Sequence, residues 1–116
     1  MELFEDLIKL SKIFKDGYTV QLKDNKLSQY TNYNKPFIVS YKTIITVKNN
    51  KLRYQNFMNI PDKCIIGGWY NNENNTYYIE LNKAYSVWNY AIKQAKLNNQ
   101  THIFDIKRNE AIRAEY

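Results

Sequence analysis

Cys64-Ile-Ile-Gly-Gly-Trp-Tyr70 and Thr76-Tyr-Tyr-Ile-Glu-Leu81, joined by Asn71-Asn-Glu-Asn-Asn75, decide how this chain folds. Both runs are dense in β-branched and aromatic residues, and two such runs around an Asn-rich connection predict a β-hairpin. Glycines inside a strand cost stability, so Gly67-Gly68 predicts a β-bulge or a backbone that another element approaches closely. The bulge reading packs Trp69 under a helix; the alternative makes it an aromatic contact for a partner. Tyr77 and Tyr78 are neighbours, so one faces the core and the other turns away.

Working outward, Asn82 is placed to cap a helix over 83–98 whose Tyr85, Trp88, Ala91, Ile92 and Ala95 form an apolar face. His102-Ile-Phe-Asp-Ile106 and Ala111-Ile-Arg113 read as a short hairpin. Upstream, Phe37 to Val47 reads as one long strand or two broken near Lys42, followed by a polar turn at Lys48-Asn-Asn-Lys51. Residues 52–59 fit neither a helical nor a strand period. Tyr18 to Leu22 alternates as a strand, and 23–35 reads as a loop. Leu3, Leu7, Leu10 and Phe14, widened by Phe4, Ile8 and Ile13, predict an amphipathic helix over 2–15 that stops at Gly17. The expected fold is a single α+β domain over 1–116. A five- or six-stranded, mainly antiparallel sheet carries the two helices (2–15 and 83–98) packed on one face.

A hydrophobic content of 44% with 24% charged residues is that of a folded chain, well clear of the disordered class. No run approaches the ~20 apolar residues a membrane-spanning helix needs. Met1-Glu-Leu-Phe-Glu-Asp6 has acids where a secretion signal has basic residues. A lone Cys64 allows no internal disulfide, so the expected compartment is a reducing cytoplasm.

Chemistry is sparse. One His and one Cys cannot supply a structural zinc site, and Asp62, Glu80 and Asp105 lack the spacing of a magnesium site. Cys64 opens an apolar run, so packing is a stronger reading than nucleophilic catalysis with His102. Gly67-Gly68 stands apart from any Gly-rich phosphate loop. The sequence therefore implies no metal, no cofactor and no catalytic residues, and favours a binder over an enzyme.

Charge is the feature with functional content. Residues 23–54 hold Lys23, Lys26, Lys35, Lys42, Lys48, Lys51 and Arg53 against Asp24 alone, a net +6 that equals the charge of the whole chain. Tyr30, Tyr33, Tyr41 and Tyr54 are interleaved with them. Lysines on a sheet edge also serve simply to prevent unwanted pairing. As a working surface, the segment would give Lys and Arg to phosphates or carboxylates and Tyr to bases or protein. The expected partner-binding residues are Lys23, Lys26, Tyr30, Tyr33, Lys35, Lys48, Lys51, Arg53 and Tyr54, with Trp69 as an aromatic contact.

The succession Gly17-Tyr-Thr-Val-Gln-Leu22, Phe37-Ile-Val-Ser-Tyr41, Ile66-Gly-Gly-Trp-Tyr70, Tyr77-Tyr-Ile-Glu80 and Asn99-Gln-Thr-His-Ile-Phe-Asp105 resembles small phage and mobile-element proteins of Firmicutes and Bacteroidetes. Residues 42–60 depart from that pattern, in which a regular helix precedes the Gly-Gly-Trp strand. The resemblance implies an accessory protein acting on host machinery, of the anti-CRISPR kind, and transfers no functional residue. The leading expectation is a non-catalytic binding protein that inhibits a host defence complex by occupying a surface of the complex or its nucleic acid. The alternatives are a basic nucleic-acid-binding accessory protein and a small dimeric nuclease or nucleotide-signal-degrading enzyme. The oligomeric state is open, a homodimer included.

Overall fold

The central hairpin forms where the sequence predicts it, as β5 (Ile65–Asn71) against β6 (Thr76–Tyr85), in a computed structural model that describes residues 2–55 and 60–114. Around it stand α1 (Glu2–Ile13), β1 (Tyr18–Lys23), β2 (Lys26–Gln29), β3 (Phe37–Lys48), β4 (Lys51–Tyr54), α2 (Trp88–Leu97), β7 (His102–Asp105) and β8 (Glu110–Arg113). The protein is α+β, and among the described residues the antiparallel sheet has eight strands rather than five or six. Their order is β2-β1-β5-β6-β3-β7-β8, with β4 also pairing β3.

The two additional strands are β2, within the segment read as a loop, and β4, at the start of the segment that fitted no period; residues 56–59 lie outside the described ones. Both strands close hairpins through two consecutive left-handed residues, Asp24-Asn25 (φ 52° and 61°) and Asn49-Asn50 (φ 51° and 63°). That is the geometry whose twist matches two antiparallel strands. Six of the eight described non-glycine residues with positive φ are asparagines. A short polar side chain tolerates this backbone region best after glycine, and Asn takes that role in a chain with only three glycines. Asn99 (φ 55°) does the same at the end of α2, where Gln100 N–H reaches the Ala95 carbonyl at 2.8 Å.

β3 pairs β6 along its whole length, with register shifts between Ser40 and Lys42 and between Thr43 and Ile45. It is thus one strand, irregular beside Lys42, and the irregularity turns both Ile44 and Ile45 into the core. The bend lets its other edge serve two partners, β7 at Phe37–Ile38 and β4 at Ile45–Lys48.

β6 runs on to Tyr85, and α2 starts only at Trp88. Asn82 is therefore a strand residue and caps nothing; the helix follows Val87, which makes no side-chain cap. Pairing of Lys83–Tyr85 with Phe37–Val39 overrides the helical pattern read from 83 onward. Ala91 and Ala95 of α2 pack on Val39 and Ile103, and Trp88 meets Phe37 edge to face at 5.2 Å.

α1 buries Phe4 and Leu7 against Ile44, Ile45, Ile66, Ile79 and Leu81, each such side chain contributing about 1.5–3 kcal/mol. It ends at Ile13, two residues short of the expected boundary, leaving Ile13 and Phe14 exposed. The sheet holds it through two tyrosines stacked at 6.4 Å. Tyr18 Oη donates to the Leu7 carbonyl (3.2 Å), and Tyr77 Oη donates to that of Phe14 (2.8 Å).

Gly67 and Gly68 lie in unbroken register with β1 and β6, so they mark no bulge. Their role is close approach. A Cβ on Gly68 would run into the ring of Tyr18, and one on Gly67 into the side-chain amide of Asn82. We expect Gly68→Ala to cost about 1–3 kcal/mol by displacing that ring; a urea titration unchanged from wild type would contradict the account. Burial holds the phenols of Tyr18 and Tyr77 well above the usual tyrosine value, with Tyr77 and Asp16 respectively adding to the effect. A phenol whose folded pKa is raised stabilises the fold below its unfolded pKa and loses that contribution as pH rises past it. Stability is therefore expected to fall above about pH 10, with tyrosinate absorbance showing these phenols ionising only as the chain unfolds.

Candidate functional site

Side chains alternate across a strand, so the pairing register assigns every position to a face. Tyr77, Ile79 and Leu81 of β6 lie under α1, which puts Thr76, Tyr78, Glu80 and Asn82 on the opposite, outer face. Four outer positions stand directly side by side across the sheet: Arg53 on β4, Thr46 on β3, Tyr78 on β6 and Trp69 on β5. Three strand spacings make that row about 14 Å long. Gly17, just before β1, comes next beyond Trp69 and contributes no side chain. Lys48 and Lys51, paired with one another, lie one step along the same face.

Trp69 is therefore not under a helix; it is on the outer face and 41% exposed. Its ring lies 4.9 Å from that of Tyr78 and nearly parallel, at 20°. Its indole N–H donates to Glu80 Oε1 at 2.6 Å, while Thr43 Oγ1 donates to Oε2 at 3.1 Å. Asn74 Nδ2 donates to Tyr78 Oη at 2.7 Å. The two bonds to the Glu80 carboxylate are of the stronger kind. The buried Glu80 carboxylate thus fixes the exposed Trp69 ring against the half-buried Tyr78.

Of the residues expected to bind, Lys48, Lys51 and Arg53 join Trp69 on this surface. Lys23 and Lys26 face each other at the β1–β2 tip, which the register puts at the opposite end of the strands. Six strand residues, about 20 Å, separate the two levels. Tyr30 is buried, its hydroxyl donating to the Lys35 carbonyl at 3.0 Å, so it anchors loop 30–36 rather than meeting a partner. Tyr33 and Lys35 are exposed on that loop. Tyr54 points the other way, its ring edge-on to Phe4 at 5.5 Å.

A second feature reaches beyond the charge run of 23–54, from which Lys35 is its one lysine. A groove of about 480 Å³ opens between loop 30–36, the turn before β5 and the end of β6, with Lys35, Lys63 and Lys83 on its rim and Asn82 lining it. Asp62, its one acid, accepts the Asp24 N–H at 3.1 Å. Lys83 Nζ sits 5.0 Å from the centre of the Tyr41 ring. Burial raises the Tyr41 and Tyr85 phenols above their usual value, so both remain hydroxyl donors at neutral pH.

The residues weighed for catalysis or metal binding are dispersed. Cys64 is buried, and burial above all pushes its thiol up, away from the reactive thiolate. His102 on β7 lies three strands from it, about 14 Å, and its Nδ1 is 2.9 Å from Thr101 Oγ1. Asp105 accepts backbone N–H groups of the β7–β8 turn, at 2.9 Å from Lys107. Among the described residues no three metal-ligating side chains converge, and no helix is long and apolar enough to cross a membrane. Compared with known proteins, the chain matches no protein family, no curated protein and no solved structure.

If Glu80 fixes the indole, Glu80→Ala should shift the Trp69 side-chain N–H resonance and leave that of Trp88 in place. The loss of stability should be about 1–3 kcal/mol. An unmoved Trp69 resonance would mean that Tyr78 alone orients the ring.

Proposed function

We propose that this protein is a non-catalytic binding protein whose outer sheet face engages nucleic acid. The observation that carries the reading is the Trp69–Tyr78 stack, locked by Glu80 and flanked on the same face by Lys48, Lys51 and Arg53. Fixed rings offer stacking surfaces that any base satisfies, and adjacent cations neutralise phosphates. Stacking and phosphate neutralisation accept any base, so the proposed binding is sequence-tolerant. Exposed aromatic rings are also costly to leave in water, which supports a role at a surface beyond solvation.

The resemblance to phage and mobile-element proteins sets this surface in a biological context: inhibition of a host defence complex, by lying along the nucleic acid it carries. A basic face suits that better than mimicry of DNA, which calls for acids. An acidic protein surface on the complex is the competing partner, and the same experiment separates the two.

Fluorescence anisotropy of labelled single- and double-stranded DNA and RNA with the purified protein tests the reading. Roughly micromolar binding at low salt is expected, collapsing as salt rises, with log K falling by about 0.7–0.9 per phosphate neutralised. Trp69→Ala should weaken binding by about 1–3 kcal/mol, and charge reversal at Lys48, Lys51 and Arg53 should abolish it at physiological salt. Absence of binding at low salt would overturn the proposal in favour of a protein partner.

A further inference from the structure

We infer that the groove rimmed by Lys35, Lys63 and Lys83 is a second phosphate subsite for the same ligand, and that this ligand is a single strand running from the Trp69–Tyr78 stack into the groove. The inference rests on the proposed nucleic-acid reading and adds the strandedness, the path and the footprint.

Three observations carry it. The first is continuity. Gln21, Ile65 and Asn82, which line the groove, occupy the same outer face as Trp69 and Tyr78 by register. Lys83 alternates to the other face, over the Tyr41 ring, and reaches the groove at the edge of β6 that β5 leaves unpaired beyond Asn82. Between them lies Gly67, with no side chain, and Glu80, whose carboxylate is engaged by Trp69 and Thr43 and is only 6% exposed. The second is charge. Three lysines face a single acid, Asp62, itself occupied by a backbone N–H. The third is backbone geometry. Lys63 holds a left-handed conformation (φ 60°) that lysine seldom adopts, and β6 extends past the end of its pairing with β5 at Asn82. The turn stands beside the Lys83–Tyr85 edge, and its left-handed residue, Lys63, is one that lines the groove.

The stacking pair and the groove are four strand residues apart, about 13 Å. A strand stacked at ~3.4 Å per nucleotide covers that distance in about four, so a footprint of about four to six nucleotides follows. Only an unpaired strand can comply. Its bases must leave their own stack to lie against the exposed ring of Trp69 while its phosphates turn toward the lysines.

The test uses oligothymidines of increasing length with wild type and with a groove variant, Lys35→Gln, Lys63→Asn, Lys83→Gln. Asparagine tolerates the left-handed position 63, so that substitution removes charge without adding strain. Wild type should gain affinity up to about four to six nucleotides and then level off. The variant should level off at about two to three, keep its affinity for the shortest oligomers and quench Trp69 fluorescence as wild type does. Its salt slope should drop by about 1.5–2, for two to three lost phosphate contacts. An unchanged length dependence in the variant would overturn the inference and leave the stacking reading intact. Equal affinity for duplex would also overturn it. Failure of wild type to bind any oligomer would instead remove the reading on which it rests.

Discussion

The ring of Tyr18 lying across Gly68 is the contact on which the remaining architecture depends. Without a side chain at 68 the ring can cross β5 and stack on Tyr77, and the two hydroxyls then reach the backbone of α1. One small residue in the middle of the sheet thus fixes how closely a helix sits over it. That helix, through Phe4 and Leu7, fills the core that joins β1, β3, β5 and β6. Tyrosine suits this task because it combines a large apolar body with one hydrogen bond at its tip, which accounts in structural terms for some of the 11 tyrosines in so short a chain.

The sheet separates two kinds of surface. One face is consumed by packing against α1 and α2. The other keeps exposed the aromatic and basic residues that the core does not need. Glu80 links the stability of the fold to the proposed binding surface: it is buried like a core residue, yet its partners are Trp69 and Thr43 on the outer face. A carboxylate in that position costs desolvation unless hydrogen-bonded, and the indole N–H that satisfies it is also what holds the stacking surface still.

Much of the fold is legible in the sequence because burial decides it. The apolar stripe of α1, the alternation of β1 and the β5–β6 hairpin all carry a periodic pattern. β2 (Lys-Leu-Ser-Gln) and β4 (Lys-Leu-Arg-Tyr) do not stand out, since these edge strands are four residues long and largely exposed, too short for a period to declare itself. Their signal was instead in the turns, Asp24-Asn25 and Asn49-Asn50, once Asn is counted as a left-handed residue. The late start of α2 was invisible locally, because a partner strand more than forty residues upstream decides it. Within the candidate site, Lys48, Lys51, Arg53 and Trp69 could be named from composition. The outward turn of Tyr78 required only the alternation that puts Tyr77 inside. Lys63 and Lys83 could not be found from the charge run at 23–54, because only the three-dimensional path of loop 30–36 brings them beside Lys35.

The connectivity of β3 also bears on how the chain comes together as it is made. Apart from the short β4, both partners of this long apolar strand, β6 and β7, lie far downstream, and β1 likewise waits for β5. The N-terminal half therefore leaves the ribosome with its most adhesive segment unsatisfied until about residue 85 has emerged. Long-range pairing of this sort is slow and exposed to wrong partners. Lys42 in the middle of that strand and Lys48 at its end then act as gatekeepers during synthesis.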